Sequence, residues 1–289
     1  MNIALTGSSG LIGSKLVNDL ERLGHSILCI SSTFSSHKDN IYLYEELVSN
    51  SIDFKADYLI HLASINSNLS ESEVSLETSL MNDAIKYMKL LNCKKFIFFS
   101  TSKVYGDNSF KFQNFSEKSD VSPKCFYGKA KAKCEEILIK ESTDNYFDYL
   151  IFRPAPLLID DPKSSLGKLL LISQKSPFIP SFKIGNQNIR SFLSYDLLKC
   201  VIEHSLNNFT KVKNQIFNLA NSSDVSLNDL LRDFGLIKKK KVRFFYLPDF
   251  VFKSMLRVNR LQLILCRLFG NFSISNAKLK EKFELPNNF

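Results

Sequence analysis

The chain has 289 residues, of which 44% are hydrophobic and 23% charged. This composition is typical of a globular protein and excludes collagen-like, low-complexity and disulfide-scaffold chains. The length corresponds to one or two domains, which is enough to bury a core and to form a ligand cleft. Lys and Arg exceed Asp and Glu by nine, and this excess alone would suit a nucleic acid, a membrane surface or an anionic substrate.

The positive charge is concentrated near the C-terminal end. Residues Lys238–Phe289 include twelve basic and three acidic side chains, so this segment carries the whole excess of nine. The distribution disfavours nucleic acid and favours a small anionic ligand. We also predict a basic amphipathic helix at Phe250–Phe269, which would suit an anionic membrane surface. The basic residues predicted on one face of this helix are Lys253, Arg257, Arg260 and Arg267.

The six cysteines are scattered, with no CxxC pair and no histidine at metal-ligand spacing. We therefore expect free thiols in a reducing compartment and no metal site. The first residues lead directly into a strand-like segment, unlike a signal peptide. Apolar stretches fall short of the ~20 residues that a membrane span needs. These features predict a cytoplasmic protein.

Strands and helices alternate through the first half of the chain. The segments Ile3–Leu5 and His25–Ile30 have the pattern of buried strands, with a helical spacing over Ile12–Leu23 between them and Gly24 as its stop. Residues 2–30 are thus predicted to form a βαβ unit. The later predicted elements are strand Tyr58–Ala63, helix Glu77–Leu91, strand Phe96–Phe99, helix Phe126–Lys140 and strand Tyr149–Phe152. This order predicts an α/β fold with a doubly wound, mostly parallel sheet.

The regular alternation ends at Pro156, after which several prolines follow closely. Sheet-associated elements are predicted again at Ser191–Leu206 and Gln215–Leu219. We therefore predict a first domain of residues 1–156, to which about 191–221 return, and a smaller second region of residues 157–190 and 222–289.

The turn after the first strand contains glycines at GxxGxxG spacing, Gly7, Gly10 and Gly13. Glycine permits positive φ and a close approach of backbone to a diphosphate, and a helix N-terminus attracts negative charge. The strand before and the helix after this turn supply the context of a dinucleotide site. The predicted cofactor contacts here are Gly7, Ser9, Gly10, Leu11, Ile12 and Gly13.

The second predicted strand ends in Ser31, Ser32 and Thr33. An acid at this place would bond a ribose 2′-hydroxyl, and an arginine would accept a 2′-phosphate. Neither is present, so both NAD and NADP are compatible with the sequence. Ser31 and Ser32 are predicted to contact the cofactor.

Tyr127 and Lys131 are four residues apart on a predicted helix, so the phenol and the ammonium share one face. A neighbouring cation lowers the pKa of a phenol from about 10 toward neutrality, which makes the pair a candidate for acid–base chemistry. The spacing alone is expected by chance in a lysine-rich chain. The YxxxK spacing becomes significant because it follows the segment FIFFSTSKVYG at Phe96–Gly106.

Together, the TGxxGxxG turn, the hydroxyl residues before VYG and the YxxxK pair resemble the extended short-chain dehydrogenase/reductases of the NAD-dependent epimerase/dehydratase family. The closest resemblance within that family is to nucleotide-sugar 4-epimerases and 4-keto-reductases. Further similar segments are HLA at His61–Ala63, FRP at Phe152–Pro154, Gly185–Leu197 and Phe269–Phe283. The last is similar to enzymes acting on UDP-linked N-acetyl sugars in O-antigen and capsule synthesis. The resemblance implies a Rossmann-type dinucleotide-binding domain and a smaller C-terminal substrate-binding region.

The resemblance also implies site residues. Tyr127 would exchange a proton with the sugar oxygen, Lys131 would hold the nicotinamide ribose, and Thr101 would bond the same sugar oxygen. Arg190 would bind the nucleotide diphosphate, which suits a bidentate guanidinium. Further implied cofactor contacts are Leu62, Ala63, Ser64, Ser100, Arg153 and Pro154, and Ser102 is an implied substrate contact.

Two segments depart from the family pattern. Glu77 stands where the family has an asparagine near the start of a helix, which predicts a carboxylate near the cofactor side of the cleft. The segment Leu157–Pro162 lacks the tyrosine and glycine of the usual VYGP.

The resemblance leaves several functions open. The missing acid after the second strand and the C-terminal similarity favour a UDP-linked 4-keto-sugar reductase, with NADP slightly preferred. The alternative is a 4-epimerase of the UDP-glucose or UDP-N-acetylglucosamine type that retains NAD. A dehydratase is disfavoured because Ser102 and Lys103 stand where those relatives carry an acidic pair. An inactive NAD(P)-binding regulatory protein, a homodimer and peripheral membrane contact are weighed as minor alternatives.

Overall fold

A computed structural model describes residues 1–31, 41–43, 53–65, 69–159, 167, 171, 178–237 and 241–285. The chain divides into two compact units. The first comprises Met1–Gly106, Val121–Arg153 and Val201–Phe217. The second comprises Asp107–Asp120, Pro154–Cys200 and Asn218–Phe289. Their roles in binding cofactor and substrate stay predictions.

The elements of the described residues are numbered in chain order. The strands are β1 (Asn2–Thr6), β2 (Ser26–Ser31), β3 (Ile41–Leu43), β4 (Tyr58–His61), β5 (Lys95–Phe99), β6 (Asn114–Phe115), β7 (Asp148–Pro154), β8 (Leu157–Leu158), β9 (Phe178–Ser181), β10 (Leu193–Ser194), β11 (Gln215–Leu219), β12 (Arg243–Tyr246) and β13 (Ser273–Ile274). The α-helices are α1 (Leu11–Arg22), α2 (Val74–Leu90), α3 (Phe126–Asn145), α4 (Tyr195–Val212), α5 (Leu227–Ile237), α6 (Asp249–Met255), α7 (Asn259–Phe269) and α8 (Ala277–Phe283).

One sheet has the strand order β11-β7-β5-β4-β1-β2-β3. The neighbouring pairs from β3 across to β7 are parallel. The chain enters at β1, runs outward through β2 and β3, and resumes on the other side of β1 with β4. The strand order therefore reverses between β1 and β4, which is where open α/β sheets bind ligands beyond the carboxyl ends of their strands. The predicted α/β fold with a doubly wound parallel sheet is confirmed.

The core of the first unit follows from the apolar strands and two packed helices. Ile3, Leu5 and Leu59 are fully buried, as expected for central parallel strands that are covered on both faces. Met81 of α2 and Leu138 of α3 belong to the same buried cluster as the strand residues Leu59 and Phe96. The two helices thus pack against one face of the sheet.

Several element boundaries differ from the prediction for local reasons. Helix α2 begins three residues early, at Val74, because Ser70 and Glu73 form a capping box ahead of it. Helix α3 continues to Asn145 and ends where Tyr146 takes a left-handed backbone, with φ of 53°. Strand β4 ends at His61 instead of Ala63, and β7 extends through Pro154.

The second unit contains three short parallel strand pairs, β8–β10, β9–β12 and β6–β13. Its apolar cluster includes Ile179, Leu231 and Leu265. Aromatic rings tie this cluster together, and the centroids of Phe182 and Phe252 lie 4.9 Å apart. Packing in this unit therefore depends on side chains from distant parts of the sequence more than on regular sheet.

The prediction of a single helix at Phe250–Phe269 is wrong. The structure has two helices, α6 and α7, separated by a turn in which Val258 is extended. Phe252 and Phe269 are so far apart in sequence that a straight helix would separate them by about 25 Å. Their ring centroids are instead 6.4 Å apart, because the turn lets both rings join one apolar cluster.

The break also separates the four basic residues that were predicted to share a helix face. Lys253 lies on α6, Arg257 lies in the turn, and only Arg260 and Arg267 share α7. Contact with an anionic membrane surface stays a prediction. Within the described ranges, no helix combines the length and apolar character needed to cross a bilayer.

Candidate active site

The glycine turn lies between β1 and α1, at the point where the strand order reverses. Gly7 has a φ of 77°, and a Cβ atom there would lie 2.6 Å from the backbone nitrogen of Ala63. A Cβ atom on Gly13 would lie 2.2 Å from the carbonyl oxygen of Gly7. Both positions therefore exclude a side chain, and the turn packs directly against the segment that follows β4.

The turn fits the diphosphate of a dinucleotide. Helix α1 begins at Leu11, with Gly10 as its N-cap and no side-chain cap, so its first N–H groups are left for another acceptor. Ser8 is buried, and its hydroxyl has no hydrogen-bond partner among the described residues. The sequence prediction named Ser9 and missed Ser8, although Ser8 belongs to the same GxxG motif.

The ribose end of the predicted cofactor site contains two hydroxyls. Ser9 Oγ and Ser31 Oγ share a hydrogen bond of 2.6 Å, and Ser31 is buried at the end of β2. This contact joins the glycine turn to the second strand. Ser32, the other predicted contact, lies outside the described residues.

Helix α3 starts with a close approach to the turn that follows β5. A Cβ atom on Gly128 would lie 2.6 Å from the carbonyl oxygen of Lys103. Glycine inside the YxxxK motif thus permits the first turn of α3 to pack against the short helical turn Ser102–Tyr105. Thr101 is the N-cap of that turn, and its Oγ1 accepts the N–H of Lys103 at 3.2 Å. The sequence-predicted residues after β5 and at the start of α3 are brought together in this way.

Lys131 is buried, with 2% of its side chain exposed. Its Nζ lies 2.9 Å from Oε1 of Glu77 and 5.0 Å from the ring centroid of Phe98. Burial alone would lower the pKa of Lys131, but the Tyr127 oxygen and the Glu77 carboxylate outweigh it and raise the pKa. The ammonium is therefore charged at neutral pH.

Tyr127 lies next to Lys131, with its ring centroid 6.0 Å from the ammonium nitrogen. Burial raises the pKa of the phenol, Lys131 lowers it, and Glu77 raises it again. Ser64, from the segment after β4, forms a hydrogen bond with the phenol. The net pKa is above its ordinary value, so the phenol carries its proton at neutral pH.

A second buried ion pair supports the same helix. Arg153 donates from Nε to both oxygens of Glu135, at 3.0 and 3.2 Å, and from Nη1 to the Tyr105 hydroxyl at 3.0 Å. Ser100 donates to the same carboxylate. Burial opposes the charge on Arg153, but Glu135 outweighs it and raises the pKa. Cofactor contacts for Ser100 and Arg153 stay predictions, because both side chains are engaged in this network.

Glu135 was missed by sequence reasoning. The available signal was its spacing, because Tyr127, Lys131 and Glu135 follow one another at four-residue intervals and share one helix face. That face of α3 is buried at Lys131 and Glu135.

His61 ends β4 beside the glycine turn. Its Nδ1 shares a 2.7 Å hydrogen bond with Thr6 Oγ1, and its ring stacks on Phe98 with centroids 5.6 Å apart. Burial, and then the charge of Lys131, hold the pKa of His61 well below its ordinary value. The imidazole is therefore neutral. Leu62 and Ala63, the predicted cofactor contacts, directly follow it.

Arg190 and Pro154 belong to the second unit. Nη1 of Arg190 donates to the carbonyl of Leu268 at 3.3 Å, and the guanidinium lies 5.3 Å from the ring centroid of Phe192. Burial lowers the pKa of Arg190 to about 10. In the part of the chain that the structure describes, no carboxylate forms an ion pair with this guanidinium.

Comparison with known proteins agrees with the fold. A UDP-glucose 4-epimerase from Vibrio cholerae is 25% identical over 97% of this chain and 89% of that protein. The solved UDP-glucose 4-epimerase of Thermotoga maritima with UDP-glucose has a TM-score of 0.72 at 22% identity, covering 98% of this chain and 93% of that one. The UDP-glucuronic acid 4-epimerase of Bacillus cereus was solved with UDP-glucuronic acid and NAD. Its structure has a TM-score of 0.74 at 17% identity and covers 99% of this chain and 94% of that one.

These structural similarities define a Rossmann-type fold shared with short-chain dehydrogenase/reductases. A family model described as the NAD dependent epimerase/dehydratase family matches residues 3–158, more than half of the chain. The chain belongs to this family, and the resemblance seen in its sequence motifs is confirmed.

The glycine turn gives a first testable prediction. Gly13→Ala should abolish binding of NAD, because the new Cβ atom displaces the turn from Gly7. Gly24→Ala is the matched control, since Gly24 also has a positive φ, of 80°, but open space around it. That control should lose about 1–2 kcal/mol of stability and keep the affinity for NAD. Calorimetric titration with NAD tests both, and undiminished binding by Gly13→Ala would contradict the assigned site.

His61 gives a second prediction, on stability against pH. The unfolded chain binds a proton at this histidine below a pKa of about 6.5, whereas the folded protein does not. The free energy of unfolding should therefore fall as the pH drops below about 6.5, by up to about 1.4 kcal/mol per pH unit from this group. Urea unfolding between about pH 5 and pH 7 should show a smaller dependence in His61→Gln. Equal dependence in the two proteins would show that His61 is not the responsible group.

Proposed function

We propose that this protein is a nucleoside-diphosphate-sugar 4-epimerase that uses NAD. The observation that carries the proposal is the juxtaposition of Tyr127 and Lys131 at the edge of the sheet where the glycine turn lies. The relatives then favour an epimerase over the 4-keto-sugar reductase that the sequence alone had favoured. The Vibrio cholerae relative, which bears the name UDP-glucose 4-epimerase, matches nearly the whole chain.

NAD is supported as the cofactor by the fit of the turn and by a similar structure that contains it. The backbone of the turn and the Ser8 hydroxyl, which has no partner among the residues that the structure describes, would hold its diphosphate. Lys131 would hold the nicotinamide ribose, and Ser9 and Ser31 would face the other ribose. When bound, the nicotinamide supplies reversible oxidation of a carbon that bears a hydroxyl group.

The residues of the chain would move a proton at that hydroxyl. Tyr127 Oη would act as a phenolate that takes the proton as the sugar hydroxyl becomes a ketone, and it would return that proton when the hydroxyl is restored. Because the phenol is protonated in the protein alone, its own proton must first leave to solvent, which the positive charge of bound NAD would favour. The charge of Lys131 would stabilise the phenolate before it takes the proton and after it returns it, and between these steps Tyr127 is a neutral phenol. Thr101 keeps its own hydroxyl proton for donation to the sugar oxygen, because its Oγ1 acts as acceptor toward Lys103. Ser102 is buried beside it and is proposed as a second substrate contact.

Arg190 is proposed to bind the diphosphate of the substrate. Its burial without a carboxylate partner among the described residues lowers its pKa, and a bound phosphate would supply the missing negative charge. The basic C-terminal segment suits the same dianionic ligand. Similarity of Phe269–Phe283 to enzymes of O-antigen and capsule synthesis supports a UDP-linked sugar for surface polysaccharide as the substrate class.

The 4-keto-sugar reductase is the second candidate. It would use the same Tyr127, Lys131 and Thr101, and its support is the serine that ends β2 where an acid would favour NAD. The two functions differ in cofactor retention, since an epimerase keeps its nucleotide through the cycle. A cytoplasmic location and a homodimer stay predictions.

Analysis of released nucleotide tests the proposal. Protein purified without added cofactor should release about one equivalent of NAD on denaturation, and should interconvert UDP-glucose and UDP-galactose, or their N-acetyl forms. A Tyr127→Phe variant should retain NAD and lose about 10²–10⁴-fold in turnover, as expected for removal of a general acid–base group. An empty site with NADPH-dependent turnover would favour the reductase. Near-normal turnover in Tyr127→Phe would remove this residue from the mechanism.

A separate prediction concerns Arg190. Arg190→Met should raise the KM for the nucleotide sugar about 10-fold to 100-fold, because a charge-assisted hydrogen bond contributes about 1.5–3 kcal/mol. The NAD content should not change. Arg232→Met is the control, since Arg232 is partly exposed and pairs with Asp229. Equal KM values in the two variants would argue against a role for Arg190 in binding.

A further inference from the structure

Glu77 is a buried carboxylate whose two oxygens have different partners. It lies on the first turn of α2 with 1% of its side chain exposed. Oε1 lies 2.9 Å from Nζ of Lys131, and Oε2 accepts the N–H of Ile65 at 2.9 Å. A carboxylate at this depth would be costly without such partners. The buried carboxylate of Glu77 is therefore stabilised by two partners, Lys131 and the segment after β4.

The two contacts of Glu77 involve residues that are themselves close to Tyr127. Ile65 directly follows Ser64, and Ser64 forms a hydrogen bond with Tyr127. On the other side, Glu77 pairs with Lys131, which lies one helical turn after Tyr127 on α3. A single carboxylate thus binds the ammonium of Lys131 and the backbone of Ile65, the residue next to Ser64.

The same carboxylate changes the charge that the phenol experiences. A buried ammonium without a counterion would stabilise a phenolate strongly, because opposite charges attract more in a medium of low dielectric constant. Glu77 makes the Lys131–Glu77 pair neutral overall. Burial is the larger influence that raises the pKa of the phenol, and Glu77 adds to it by opposing the effect of Lys131.

We propose that Glu77 is a positioning residue that holds Lys131 and the Ser64–Ile65 backbone in place and offsets the Lys131 charge next to Tyr127. The proposal rests on the proposed function for the catalytic role of Tyr127. The charge effect itself belongs to the protein alone and requires no substrate. A purely structural Glu77 would affect stability without changing the ionisation of Tyr127.

The test follows the ionisation of Tyr127 by NMR in protein labelled with carbon-13 at the tyrosine Cζ, with Tyr127→Phe to assign the signal. Glu77→Gln and Glu77→Asn remove the charge, and each should lower the midpoint of the Tyr127 titration by at least about one pH unit. Glu77→Asp keeps the charge and should return the midpoint toward that of the parent protein. An unchanged or raised midpoint in the neutral variants would overturn the proposal.

Glu135→Gln is the matched control, because it also breaks a buried ion pair of α3, that with Arg153. It should lower stability and leave the Tyr127 midpoint unchanged. If the neutral Glu77 variants do not fold, Lys131→Met is compared with Lys131→Met/Glu77→Gln. The phenol should ionise at higher pH where the carboxylate remains, and equal midpoints would refute the charge effect. A shifted midpoint without epimerase activity would refute the proposed function and leave this inference standing.

Discussion

Helix α3 has two buried charges on one face, and each must be neutralised inside the protein. Lys131 is paired with Glu77 of α2, and Glu135 is paired with Arg153 near the end of β7. Removing one partner of a buried pair costs several kcal/mol, because the other charge is left in a medium that solvates it poorly. The two ion pairs therefore fix the rotation of α3 about its axis and its position along that axis relative to α2 and β7. Tyr127, one turn before Lys131, takes its position from this arrangement.

Local sequence patterns predicted the first unit well. Its elements are regular, and several of its glycines stand where a Cβ atom would clash with neighbouring backbone. The turn at Gly7 and Gly13 could be found from its spacing between a strand and a helix, and the Tyr127–Lys131 pair from its spacing together with its position after the strand at Phe96–Phe99. Partners from distant segments could not. Nothing near Glu135 in the sequence indicates that Arg153 will be beside it. The departure from the family pattern at Glu77 indicates a carboxylate at that place, but it does not indicate which residue pairs with it.

The second unit was predicted less well for a related physical reason. The apolar pattern of Phe250–Phe269 is compatible with one long helix, and the break at Val258 is decided by packing. Aromatic rings from both ends of that segment join the same cluster, which a straight helix would prevent. The distinction between an epimerase and a reductase is likewise absent from the proposed catalytic residues, which would serve both reactions. It depends on whether the nucleotide stays bound.

The position of β1 at the centre of the sheet has a consequence for folding. The N-terminal strand, turn and helix are made first, but Gly7 packs against the backbone of Ala63, which belongs to a later segment. That contact joins residues from distant parts of the sequence, and such non-local pairings form slowly. The proposed nucleotide site thus cannot be completed by the N-terminal βαβ unit alone. Recovery of NAD affinity during refolding would report the docking of β4 onto β1.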